Sequence, residues 1–204
     1  MKIYIIGDSI SIQYGPYLKT YLQGIIHYSR KEGEEEALLN LDEPQGANGG
    51  NSERVLDFLK SKAQSDPIDA DLLLINCGLH DIRTNPQTGE KMVSIENYEK
   101  NLKEMIQLAK EMKTTLVWIN TTPCDEKIHN VNMGVHRFIA DCEAYNQVAT
   151  RLMKEAGIPI IDLFGFTQNL GDDLYCDHVH FNDHIREKQA SFIAGWLNAY
   201  QALK

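Results

Sequence analysis

The sequence lacks a long hydrophobic run, an excess of basic residues and any closely paired cysteines, and each absence removes a class of protein. The longest apolar stretches, such as Leu72 to Ile75, fall far short of the roughly 18 to 20 residues that cross a bilayer. No transmembrane helix and no membrane insertion are expected. Lys and Arg number 20 against 29 Asp and Glu, a formal charge of −9. No segment gathers the basic residues into a patch, so nucleic acid would be repelled and is not an expected partner. The four cysteines, Cys77, Cys124, Cys142 and Cys176, are irregularly spaced with no C-x-x-C pair. They fit neither a zinc knuckle nor a disulfide scaffold and read as mostly buried thiols. The apolar stretch Met1 to Ile6 is too short for a signal sequence and meets Gly7-Asp8-Ser9 with no small-residue cleavage site. As it stands the chain reads as cytoplasmic. Internal repeats and low-complexity segments are also missing.

What is present suffices for a folded core. With 204 residues, 43% apolar and 24% charged, the chain is expected to form a single domain over residues 1–204. Four continuous, β-branched runs read as strands covered on both faces: Lys2 to Ile6, Leu72 to Asn76, Thr115 to Asn120 and Ile158 to Leu163. A fifth is expected around Ile25 to Ser29 or Ala37 to Leu41, with the charge run Arg30 to Glu36 as a solvated face. Helical periodicity runs from Ile95 to Met112, from Phe138 to Ala156 and from Ile185 to Tyr200, and a shorter helix carries Val55, Leu56 and Leu59. Strands alternating with such helices predict an α/β/α sandwich with a parallel sheet of about five strands, flavodoxin-like in its layering. Trp118 and Trp196 read as core. Three connections are long enough to hold a site: Leu41 to Ser52, Thr84 to Lys91 and Thr121 to Val135.

Ligands of open α/β sheets bind beyond the carboxyl ends of the strands, and reactive residues gather there. Ser9 follows the first strand, Gly49, Gly50, Asn51 and Ser52 precede a helix, Gly78-Leu79-His80-Asp81 follows the second strand, and Asp177-His178-Val179-His180 precedes the last helix. A serine hydroxyl is a weak nucleophile until a base takes its proton and a third group fixes the base. His180 suits the base and Asp177 the orienting carboxylate, three residues apart on one turn. Asp8 reads as shaping the serine turn.

In these blocks the chain resembles the GDSL/SGNH hydrolases, a family of serine esterases and lipase-like acylhydrolases. Gly7-Asp8-Ser9-Ile10 is similar to the first block, Asn48-Gly49-Gly50-Asn51-Ser52 to the second, and Asp177 with His180 to the last. The third is usually Gly-x-Asn-Asp, and here His80 stands in the Asn position. The resemblance implies a catalytic triad of Ser9, Asp177 and His180. It implies an oxyanion hole of the Ser9 N–H, the Gly50 N–H (Gly49 if the register differs) and His80, and needs no metal or organic cofactor. An imidazole donor depends on tautomer and protonation as an amide does not, so a distinctive pH profile is expected.

The implied activity is hydrolysis of short carboxylic esters through an acyl-serine. A small-molecule or glycan ester is the expected substrate, with carbohydrate O-acetylesterase the leading reading because no apolar lid flags a long acyl chain. A lysophospholipase or thioesterase is the alternative within the same chemistry. From other classes stand a non-catalytic glycan-binding relative and a metal-dependent hydrolase, since Asp177, His178, His180, Asp183 and His184 crowd five potential ligands into one segment. Asn182 or Asp183 reads as the cap of the last helix, placing His184 in its first turn. His129 and His136 sit at the long connection, where a substrate could touch them.

Overall fold

Runs of Ile, Leu and Val side chains that must be hidden on both faces build the middle of the sheet. They are β1 (Lys2–Ile6), β3 (Leu72–Ile75) and β4 (Thr115–Ile119), and every residue of β3 is buried. In the computed structural model, which describes residues 1–203, β2 (His27–Arg30) and β5 (Ile160–Ile161) complete a five-stranded sheet. Its order is β2-β1-β3-β4-β5 and all neighbours are parallel. The chain leaves β1 for one side of the sheet and returns to β3 on the other, which makes the β1/β3 boundary the topological switch point, the place where ligands of such sheets bind.

Among the described residues there are eight helices, six between strands and two after β5: α1 (Ser9–Tyr21), α2 (Glu34–Leu39), α3 (Ser52–Ser65), α4 (Ile95–Glu111), α5 (Glu126–Asn132), α6 (Ile139–Glu155), α7 (Leu163–Gln168) and α8 (Asp183–Ala202). Helix α1 packs along α8, which also meets α7, while α3, α4 and α6 lie side by side. The α/β sandwich with a parallel sheet is therefore the observed fold. Trp118 is buried in β4, and Trp196 is half-buried against Tyr200. Cys77, Cys124 and Cys142 are buried and Cys176 is exposed. None of the helices is long and apolar enough to cross a membrane among the described residues.

Two strands depart from expectation. Strand β2 is short and mostly polar. Its Arg30 is not part of a solvated face but is buried, donating from Nη1 to Ser11 O and from Nη2 to Ser11 Oγ, each at 3.0 Å. Glu34 to Leu39 then forms α2, so the Ala37 to Leu41 alternative is helical in its first half. Strand β5 shrinks to two residues from the run expected at Ile158 to Leu163. Pro159 has no N–H for a ladder, and Asp162 instead accepts the Gly165 N–H as the cap of α7.

Candidate active site

Ser9 is the first residue of α1, set on a turn that Asp8 caps. The Asp8 carboxylate accepts the Ile10 N–H at 3.0 Å, and its carbonyl accepts the Ser11 hydroxyl at 2.7 Å. A residue larger than glycine does not fit at position 7, where a Cβ would come within 2.7 Å of Ser11 Cβ. The Ser9 N–H is thus the first amide of a helix, with no carbonyl a turn earlier to receive it and the positive end of the helix dipole behind it.

Asp177 and His180 arrive from the segment before α8. Asp177 Oδ1 accepts the backbone N–H of Val179 at 2.8 Å and of His180 at 2.7 Å. Its Oδ2 lies 2.7 Å from His180 Nδ1, and His180 Nε2 lies 2.9 Å from Ser9 Oγ. A carboxylate only accepts, so Nδ1 carries the proton and Nε2 is left to accept from the serine hydroxyl. Partial burial works to raise the Asp177 carboxyl, but the two N–H groups and the imidazole outweigh it and hold it below the ordinary carboxylate value. His180 is 2% exposed, with its reactive nitrogen sheltered from water. This arrangement can take a proton from Ser9 and hold the resulting imidazolium against a charged carboxylate.

The glycine segment is stitched to the serine turn by backbone bonds. Gly7 bridges Asn48, and Gly7 O accepts the Gly49 N–H at 2.9 Å. Gly50 adopts φ +70°, open to glycine at little cost, and its N–H donates to Asn48 Oδ1 at 3.0 Å. Both amides considered for an oxyanion hole therefore already have acceptors. The Gly49 amide is fixed in backbone, whereas the Gly50 amide meets a side-chain oxygen that an incoming oxyanion would share or displace.

His80 is buried beside this edge. Burial, then the charges of Arg137, Arg83, Arg54 and His180, push its imidazole well below the ordinary value. It stays neutral at pH 7, so the pH dependence expected from its protonation falls well to the acid side, and tautomer alone decides which nitrogen donates. Asp81, next in sequence, is wholly buried and turned to α3. Burial lifts its carboxyl to about 7 against hydrogen bonds from Ser52.

The other histidines divide. His178 does not join the chain of contacts from Ser9 through His180 to Asp177: its Nδ1 lies 2.7 Å from Nδ1 of buried His129, and its Nε2 lies 3.4 Å from Asp42. His136 exchanges two backbone bonds of 2.8 Å with Thr84, and His184 lies in the first turn of α8 after the cap residue Asn182. Among the described residues no three His, Cys, Asp or Glu side chains converge on a metal-sized site, so the ligand-rich segment does not act as one cluster. Sequence reasoning missed Arg137 and Arg83, whose positions in a polar connection gave no sign that their guanidiniums lie near His80. Asn48, which bonds Gly50, was noted only as part of its block.

The sequence matches the family of GDSL-like lipases and acylhydrolases over residues 5–186. No curated protein matches it. Among solved structures it is similar to the acetyl xylan esterase AlAXEase, at 16% identity and TM-score 0.70, covering 96% of this chain and 99% of that one. A lipase/acylhydrolase from Enterococcus faecalis aligns at 15% identity and TM-score 0.72, covering 98% and 96%. The acetylxylan esterase Axe2 from Geobacillus stearothermophilus aligns at 17% identity and TM-score 0.63, covering 94% and 91%. At such identities the structural likenesses speak for the fold. The sequence match, with the five-stranded parallel sheet, establishes that this chain belongs to the GDSL-like lipase/acylhydrolase family.

Proposed function

We propose that the protein is a serine esterase that hydrolyses short-chain carboxylic esters, with an O-acetylated carbohydrate as the natural substrate class. The observation that carries this reading is the continuous chain from Ser9 Oγ through His180 to Asp177, with contacts of 2.9 and 2.7 Å. Ser9 Oγ attacks the ester carbonyl as its proton passes to His180 Nε2. The tetrahedral oxyanion is held by the N–H groups of Ser9 and Gly50 and by His80. Collapse breaks the bond to the alcohol, which leaves with the proton from His180, and Ser9 keeps the acyl group. Water then attacks the acyl-serine with His180 again as base, releasing the acid and restoring the hydroxyl.

One feature supports a sugar ester: acetyl xylan esterases are among the structural relatives. A second reading, a longer-chain acylhydrolase, draws on the exposed Leu38 and Leu39 of α2 and Val131 of α5. Hydrolysis of p-nitrophenyl acetate, butyrate and octanoate by the protein and by Ser9→Ala separates these. The expected result is activity that falls steeply with chain length and disappears in Ser9→Ala. Activity surviving in Ser9→Ala would overturn the mechanism, and a preference for octanoate would select the second reading.

A further inference from the structure

Arg137 is a buried cation with no carboxylate paired to it. It is 4% exposed, its Nε donates to Leu79 O at 2.7 Å, and its Nη1 lies 3.3 Å from His129 Nδ1. Among the described residues it forms no ion pair. The carboxylate that acts on it is Asp8, itself buried, with Oδ2 lacking any hydrogen-bond partner and burial raising its carboxyl. Unpaired buried charge is costly unless something else gains from it. Arg137 is also firmly placed. Its own N–H donates to Asn130 Oδ1 at 2.8 Å, and the adjoining His136 is paired with Thr84.

The position explains the cost. Leu79 precedes His80 directly, so the guanidinium grips the carbonyl of the peptide unit that leads into the residue at the oxyanion site. The amides there are already engaged, Gly49 with Gly7 and Gly50 with Asn48, which leaves the site short of uncommitted donors. A fixed positive charge in a dry pocket stabilises negative charge that develops nearby and needs no reorganisation when it does.

We propose that Arg137 is the electrostatic support of the oxyanion site, a positioning residue that fixes the Leu79-His80 peptide and sets a permanent cation behind His80. This inference rests on the serine-esterase reading and goes beyond it. Arg83, Arg54 and His180 are the other cationic or titratable groups acting on His80, and Asp81 adjoins it in sequence. With the Arg137 charge removed, His80 is freer to take up a proton, and an imidazolium would form at pH values where the intact protein holds imidazole.

The test measures kcat, KM and the pH dependence of both on p-nitrophenyl acetate for the full chain, Ser9→Ala, Arg137→Gln, Arg137→Lys and the double variant Arg137→Gln with His80→Asn. Expected is a loss of about 100-fold in kcat for Arg137→Gln with KM within about threefold. That variant should also show a further ionisation, from His80, at pH values where the intact protein keeps His80 neutral, and it should vanish in the double variant. Arg137→Lys, which keeps the charge, should retain at least about tenfold more activity than Arg137→Gln and show no new ionisation. A kcat for Arg137→Gln within about threefold of the parent, or a loss with an unaltered pH profile, overturns the proposal. Should Arg137→Gln not fold, Arg137→Lys decides alone, its parent-like profile supporting the proposal and a new ionisation overturning it. Full activity in Ser9→Ala would instead bring down the underlying esterase reading.

Discussion

The Asp81 carboxylate receives the Ser52 N–H on both of its oxygens, at 2.9 and 3.0 Å. One buried side chain thereby locks the segment after β3 to the start of α3, so two of the loops that form the site move as one. Ser52 Oγ in turn accepts from Asn101 Nδ2 at 2.9 Å, which extends the lock to α4.

That lock titrates. Burial raises Asp81 to about 7, against 3.8 for an ordinary aspartate. Between those values the folded chain holds a proton that the unfolded chain has released, so stability falls as pH rises. The contribution is fully present below about pH 4 and gone once pH passes about 7, on the order of 4 kcal/mol across the window. Asp8 is raised as well and acts in the same sense. Urea unfolding at pH 5 and pH 8 is expected to show a midpoint that drops with pH, and Asp81→Asn should flatten the dependence. An equal drop in both proteins would assign it to other groups.

His80 carries the second prediction. If it donates to the oxyanion, His80→Ala should lower kcat on p-nitrophenyl acetate by about 100-fold or more, while His80→Asn restores a donor and stays within about tenfold of the parent. Activity of His80→Ala within a few-fold of the parent would remove His80 from the oxyanion hole.

Gly78 is constrained from two sides. Its φ is +152°, where a side chain is strained, and a Cβ there would run into the Thr121 side chain. Thr121 Oγ in turn donates to Cys77 O at 2.8 Å. Gly78→Ala should cost about 2–4 kcal/mol, visible as a lowered melting temperature. Gly134→Ala, with nothing within 4 Å of the added carbon, serves as the neutral comparison.

Thiol reactivity checks the packing independently. Three cysteines are buried and only Cys176 is exposed, so Ellman's reagent should modify one thiol quickly in the native protein and four after denaturation. Rapid reaction of a second thiol would show that the Cys124–Cys142 pocket, with sulfurs 3.9 Å apart, opens to solvent.

Legibility in the sequence followed the kind of force at work. Strands β1, β3 and β4 are written as apolar runs because burial on both faces demands them, and α4, α6 and α8 as apolar stripes. Strand β2 has no such run: its Arg30 is buried through bonds to Ser11, nineteen residues earlier, a pairing that periodicity does not record. Of the site, Ser9, Asp177 and His180 stood out because each adjoins a strand end or a helix start in a family block. Arg137 did not, since its neighbours Leu79, His129 and Asn130 are gathered by tertiary contact across a polar connection. The commitment of the Gly50 amide to Asn48 was equally invisible, because a side chain two residues away can take many orientations.

The bond between His180 and Ser9 joins residues 171 positions apart. Asp177 and His180 form a local cassette held by bonds within one turn, but Ser9, the proposed nucleophile, sits at the opposite end of the chain. The two halves meet only when α8 docks on α1, where Tyr21 donates to Glu187 at 2.9 Å. Turnover is therefore a report on closure of the whole chain: in refolding it should return with the slowest structural phase, and a protein nicked or shortened before α8 should keep much of its sheet while falling silent in the assay.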